Sequence, residues 1–362
     1  MKKNLTFLFL LILATGFAND SECECCCYIE EECCNWGLEI DAEFLWWQAY
    51  GDRLNYGVLA KGTSDQIPDV SFTTQASETW LEFNPKWKPG VRLRAAKDLC
   101  PDGVGIFGEW TWYETRNKER NCFVRPEGEN VFFGFESDFL QSGGGKSTTQ
   151  LQNIKINGDF NFLLNRIDLG FFKDFCFCNC YHLQPYAAFT YAHTKENMTI
   201  KSRFTSTISP FNDSFEKYKI KTTLDGFGTK LGFTSDWALF SCFYLSFQGS
   251  LTGLWGDFDE KRDDFYENFN PVGLGIQETE IEKLRLSNWQ GRLFSQLQIS
   301  LLYDTCFCDC YHFNARLGWE HQTLFNQTNW METNSPIRGS RNLKNSANLY
   351  IQGLVAGIGL SF

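Results

Sequence analysis

The sequence predicts an all-β fold: a closed antiparallel transmembrane barrel of about ten strands, with short turns at one end and long loops at the other. Three observations predict it. Aromatic residues make up 17% of the 362-residue chain, 35 of them Phe and 12 Trp, yet the mean hydropathy is −0.32. A soluble core rarely holds that much ring surface without long apolar runs, whereas a membrane barrel alternates lipid-facing with polar residues and collects rings at both interfaces. Apolar residues recur with a period of two in segment after segment, the pattern of a strand with one greasy and one polar face. The last residues, "NLYIQGLVAGIGLSF", end such a strand on Phe362, the form of last strand that barrel assembly machinery recognises.

The chain opens "MKKNLTFLFLLILATGFAND". Two lysines precede an apolar run from Leu5 to Phe17, and Gly16 and Ala18 supply small residues for cleavage. This is the layout of a secretory signal peptide over 1–18, cut near Ala18, and the run is too short to span a bilayer. The first cysteine, Cys23, sits in "NDSEC" with no lipobox. Residues 19–35 then form a cysteine-rich tail and 36–362 the barrel.

Each strand follows from its alternation. "WGLEIDAEFLWWQAY" sends Leu38, Ile40, Ala42, Phe44 and Trp46 one way, and Glu39, Asp41 and Glu43 the other. "NIKINGDFNFLLN" sets Ile154, Ile156, Phe160, Phe162 and Leu164 against Lys155, Asn157, Asp159 and Asn161. "FYLSFQGSLTG" sets Phe243, Leu245, Phe247 and Leu251 against Ser246, Gln248, Ser250 and Thr252. In "NWQGRLFSQLQISL", Trp289, Leu293, Leu297, Ile299 and Leu301 oppose Gln290, Arg292, Gln296 and Gln298. "HFNARLGWEHQ" opposes Phe313, Ala315, Leu317 and Trp319 to Asn314, Arg316 and Glu320. An open sheet would leave backbone groups unpaired in lipid, so the strands close. Ten candidates cover 36–51, 80–97, 104–117, 150–172, 182–197, 218–235, 242–256, 281–302, 311–325 and 348–362. Their connections alternate short and long, which puts the short turns and both termini in the periplasm of an outer membrane. A hairpin hidden in a long loop makes the count twelve or more.

The polar face of these strands predicts a lumen lined by Glu39, Asp41, Glu43, Arg92, Arg94, Glu109, Lys155, Asp159, Lys230, Arg292, Arg316 and Glu320. Mixed charge there gives a pore for small hydrophilic solutes with weak ion selectivity, or salt bridges that plug the barrel. The net charge of −11 argues against a nucleic-acid surface. Loop aromatics such as Phe132, Phe133, Phe135, Phe265, Tyr266 and Phe269 fit host-surface contacts, an interface girdle or an extra hairpin.

On this topology fourteen of the fifteen cysteines fall on the periplasmic side. Cys23, Cys25, Cys26, Cys27, Cys33 and Cys34 lie in the tail; Cys100, Cys176, Cys178, Cys180, Cys242, Cys306, Cys308 and Cys310 lie in or beside short turns. Cys122 alone falls in an external loop. "CFCNCYH" and "CFCDCYH" carry alternating thiols and a histidine, which could hold zinc or copper(I). The Cys-x-Cys-x-Cys spacing and an oxidising compartment favour disulfides instead, within the chain, to another copy, or to other cysteine-rich envelope proteins. No metal or cofactor is expected. Nor is an enzyme: His182 and His312 fall at turns, His193 and His321 on strands, and neither GxSxG nor HExxH occurs.

Short phrases carry a resemblance: "EIDAEFLWWQAYGDRLNYGV" after a signal peptide, "WKPGVRLRAA", "LGFFKDF" with "LQPYAAFTYAH" around a turn, and the terminal aromatic. Across the mature chain these resemble the major outer membrane protein group of Legionella and of chlamydia-related bacteria. The resemblance implies a porin-like, cysteine-rich envelope protein, in organisms where disulfide-linked outer-membrane proteins supply rigidity. The alternative is a non-conducting structural barrel or adhesin whose external loops bind host surfaces.

Overall fold

The computed structural model describes residues 37–362, apart from 53, 63–76, 101–102, 125–129, 135–150, 179–180, 207–212, 241, 270–277, 308–310 and 333–342. The expected signal peptide and cysteine-rich tail therefore lie outside the described residues. Ten long strands form the barrel wall: β1 (Leu38–Gly51), β4 (Lys88–Cys100), β5 (Val104–Val124), β7 (Leu151–Lys173), β9 (Tyr181–Ser206), β10 (Asp213–Phe240), β11 (Phe243–Phe269), β12 (Glu278–Phe307), β13 (Tyr311–Glu332) and β14 (Leu343–Ser361). Each pairs antiparallel with the next, and β14 pairs with β1 to close the ring. Closure leaves no strand edge in lipid. The seam is tied at its end by the Leu38 amide donating to the Phe362 carbonyl at 3.1 Å, with the reverse bond at 3.0 Å.

Short elements complete the sheet structure. β8 (Phe175–Cys178) prolongs β7 past Asp174 and pairs with the start of β9. β2 (Asn55–Gly62), β3 (Ser77–Glu82) and β6 (Asn130–Gly134) form a separate three-stranded sheet from the two connections that flank β4 and β5. The strand expected over 80–97 is thus two elements, and Phe132 and Phe133 belong to this extra sheet. The short turns hold tight geometry: Gly103, with φ 74°, reverses the chain between β4 and β5, and its carbonyl accepts from the Asp174 amide at 2.8 Å. A side chain there would sit in the left-handed region that only glycine enters freely.

The strands run much longer than a membrane needs. At ~3.3 Å per residue and a tilt of ~40°, the 28-residue β10 rises about 70 Å, against an apolar band of about 25 Å. The excess lies at the long-connection end, the external side of such barrels. Much of what reads in sequence as long polar loop is therefore strand, and only residues 207–212 separate β9 from β10.

Two environments along one strand explain a correction to the sequence reading. Within the lipid band Ile167, Leu169 and Phe171 of β7 face out, 42–62% exposed in the isolated chain. Beyond it, Ile156, Phe160, Phe162 and Leu164 face in and are wholly buried. Above the membrane the outer surface meets water and the inside needs an apolar core, so the greasy face changes sides. The same switch occurs on β9 (Met198 in, Tyr191 out) and β10 (Leu224 in, Phe227 out). It falls in the same register on all three: Leu164, Thr194 and Leu224 pair in one row, Ile167, Tyr191 and Phe227 in another. That shared step marks the outer edge of the lipid band. Below it, β1, β11, β12, β13 and β14 follow the predicted alternation, with Ile40, Phe44, Leu251, Leu293, Leu317 and Ile358 on the lipid side.

Candidate functional site: the layered lumen

The candidate site is the interior, because strand alternation drives one face of every strand into it. Going from the short-turn end outward, it is built in layers. At the rim, His182 lies 3.0 Å from Asp174 and 3.5 Å from Asp236, and Asn314 donates to Asp41 at 3.3 Å. Next comes a small apolar cluster of Ala96, Phe107, Phe172, Tyr186 and Ala188.

Above it sits an ionic layer. Arg92 of β4 donates to Glu43 of β1 at 2.7 Å and to both oxygens of Glu320 on β13, at 2.8 and 2.9 Å. Arg166 of β7 reaches Glu109 and Asp168, each at 3.1 Å. Lys230 of β10 bridges Asp168 at 2.8 Å and Glu109 at 3.3 Å. Arg316 holds the other oxygen of Glu43 at 3.2 Å, and Arg94 lies 3.9 Å from Asp41. Gln298 and Thr111 accept from Arg92, Gln296 accepts from Arg166, and Thr190 donates to Asp168. Five cations meet five anions, so the network is formally neutral.

The layer is buried: Arg166, Lys230, Asp168 and Glu320 are 0–2% exposed. Aromatic rings close it from both sides. The Arg92 guanidinium stands 5.6 Å from the Trp47 ring, and the Lys230 ammonium 5.6 Å from the Tyr186 ring, contacts that gain strength when desolvated. Beyond Trp47 the interior holds a large apolar cluster, with Glu196, Glu260, Arg262, Asp264 and Arg292 buried on its β9, β11 and β12 side. Leu45, Trp47, Tyr113, Phe160, Phe162, Leu164, Leu349 and Ile351 belong to one cluster, in which Tyr113 donates to the Trp47 carbonyl at 3.1 Å. The β1–β4 connection folds over this plug, with Leu81 and Phe83 buried and the Phe83 ring 5.7 Å from that of Phe160.

Of the predicted lining, Asp41, Glu43, Arg92, Arg94, Glu109, Lys230, Arg316 and Glu320 meet in this network. Glu39 is half-exposed at the short-turn end of β1. Arg292 faces in higher up, stacked 4.3 Å from the Phe258 ring. Lys155 and Asp159 are corrections: both point outward, Lys155 exposed and Asp159 paired with Arg116 at 2.8 Å. They lie on the part of β7 where the greasy face has already turned inward. The same step conceals Arg166 and Asp168, which the alternation of 154–164, continued along the strand, puts on the lipid face. The signal for them was the run Ile167, Leu169, Phe171, whose odd parity leaves 166 and 168 inside.

The cysteines divide by end. Cys100, Cys176, Cys178, Cys242 and Cys306 sit in or beside the short turns. Cys122 is exposed near the other end of β5, on a strand rather than in a loop. Cys23, Cys25, Cys26, Cys27, Cys33, Cys34, Cys180, Cys308 and Cys310 lie outside the described residues.

A family model described as Legionella pneumophila major outer membrane protein precursor matches residues 31–362. No curated protein matches the chain. Among solved structures, the outer membrane protease OmpT of Escherichia coli is 13% identical, with a TM-score of 0.39, over 90% of this chain and 96% of that one. A FadL homologue of Pseudomonas aeruginosa is 6% identical, TM-score 0.25, over 90% and 89%. The toluene transporter TodX of P. putida is 7% identical, TM-score 0.22, over 90% and 89%.

Proposed function

Since the chain belongs to the Legionella major outer membrane protein family, we propose that this outer-membrane β-barrel is a sealed structural element of the envelope rather than an open general-diffusion pore. The observation that carries this reading is the stacking of a formally neutral, buried ionic layer between two apolar clusters. A hydrated solute would have to break several buried ion pairs and then cross packed rings, and each step is costly in a low-dielectric interior. Porin-like passage is the competing reading. Liposomes carrying the purified, folded barrel separate the two: no swelling is expected in sugars of graded size, with or without reductant. Swelling with a size cut-off would overturn the sealed reading.

The structural role is proposed to act through the periplasmic thiols. Support comes from the grouping of Cys100, Cys176, Cys178, Cys242 and Cys306 at one rim, in a compartment where thiols oxidise. Non-reducing gels of intact envelopes are expected to show the protein in high-mass species that collapse to monomer with reductant. A monomer on the non-reducing gel would refute crosslinking and leave the sealed lumen untouched.

A further inference from the structure

The outer surface of the extended strands carries a charge pattern opposite to that of the chain. Arg116 pairs with Asn161, Asn161 with Asn197, Asn197 with Lys221, Lys221 with Lys261, and Lys261 with Arg285, so that six strands place one outward row side by side. The next row toward the loops holds Lys118, Lys219 and Lys283 with Asp159 and Asp263, and the row beyond it Arg120, Lys201 and Lys217. All these side chains are exposed or half-exposed, while their inward neighbours Asn117, Phe160, Met198 and Ile220 are buried. Ten cations thus share three rows with two carboxylates, on a chain whose formal net charge is −11. Asp259 from the row below holds Lys261, and Asp159 holds Arg116 and, at 3.8 Å, Lys118; the other seven face outward. Among the described side chains, the outward Gln48 and Tyr50 of β1 and Tyr350 and Gln352 of β14 are uncharged.

Height decides what this surface meets. The lipid edge is marked strand by strand by the uppermost outward ring of the lipid band, Trp112 on β5, Tyr191 on β9, Phe227 on β10, Trp255 on β11 and Trp289 on β12, with Phe265, the partner of Lys217, standing above it. Along each tilted strand the basic residues stand four to ten residues beyond that ring, about 10–25 Å higher. A phospholipid headgroup occupies only about 5–8 Å per leaflet, so its phosphate lies beneath the first row. Anions at that height belong to a taller headgroup.

We propose that this wall of β5, β7, β9, β10, β11 and β12 docks the phosphate-bearing sugar headgroups of an outer-leaflet glycolipid. Rows of guanidinium and ammonium groups on a fixed sheet match anions repeated along a sugar chain. The inference rests on the barrel's outer-membrane setting and not on whether the lumen conducts.

The test uses the full folded chain in mixed micelles with rough-type lipopolysaccharide carrying a phosphorylated core, its enzymatically dephosphorylated form, or phosphatidylglycerol, with bound lipid counted by native mass spectrometry. Wild type is expected to retain the phosphorylated glycolipid. The combined variant Lys201→Gln, Lys217→Gln, Lys219→Gln and Lys221→Gln should retain it at least about tenfold more weakly, since four basic groups near a charged surface are removed. The dephosphorylated form should bind weakly and alike to both. Equal retention by wild type and variant overturns the proposal, as does equal retention of the two glycolipid forms. Equal competition by phosphatidylglycerol overturns the choice of glycolipid. Heat-modifiable gel migration checks folding; if that variant fails it, Arg116→Gln, Lys118→Gln and Arg120→Gln on β5 make the same comparison.

Discussion

Arg92→Met is expected to cost the folded barrel about 3–5 kcal/mol, read as a lower urea midpoint at unchanged slope. Arg92 is the cation that faces Glu43 and Glu320 together. Without it Glu43 keeps Arg316, but Glu320, 0% exposed, is left with the Gln322 amide as its hydrogen-bond partner. A buried carboxylate without a cation is the expensive outcome, whereas an apolar pair of similar volume is close to neutral. The double variant Arg92→Met, Glu320→Met is therefore expected to recover most of the loss. If Arg92→Met leaves the midpoint where it was, water reaches the network, and the sealed reading fails with it.

The second large effect concerns the plug. Phe160→Ala is expected to destabilise by about 3–5 kcal/mol, the range for emptying a packed ring site, since Phe160 is wholly buried against Phe83. Lys155→Ala, five residues away on the same strand, should change stability by less than about 0.5 kcal/mol, as an exposed residue. A strict alternation of lipid face and lumen along β7 predicts the reverse weighting. The pair of unfolding curves thus decides which way the external half of the strand faces. Phe160→Ala combined with Phe162→Ala should also raise the rate of current openings in planar bilayers, because both rings belong to the layer that closes the lumen.

Much of the barrel was legible in the chain. Period-two patterning is local: each side chain alternates with its neighbours whatever the partner strand, so β1, β11, β12, β13 and β14 could be assigned a lipid face directly. The charged residues opposite that face, Asp41, Glu43, Arg92 and Glu320, were readable as interior for the same reason. The external halves were not. There the outward face is wet and the inward face packed, so the same alternation has its opposite meaning, and Lys155 and Asp159 were assigned to the wrong side. Long polar stretches around 198–217 looked like loop because hydrophilic residues cover the outside of a strand that stands in water.

The sequence by itself determined that the chain closes as an antiparallel membrane barrel of about ten strands, with Cys100, Cys176, Cys178, Cys242 and Cys306 in or beside its short turns, since alternation, turn length and the terminal Phe362 are properties of neighbouring residues. Only the tertiary structure decided that Arg92 meets Glu320 across 228 positions of chain, that Arg166, Lys230, Glu109 and Asp168 complete one network, and that rings close it from above and below. Those contacts depend on strand register and on where the membrane ends, and both emerge only when the ten strands are paired.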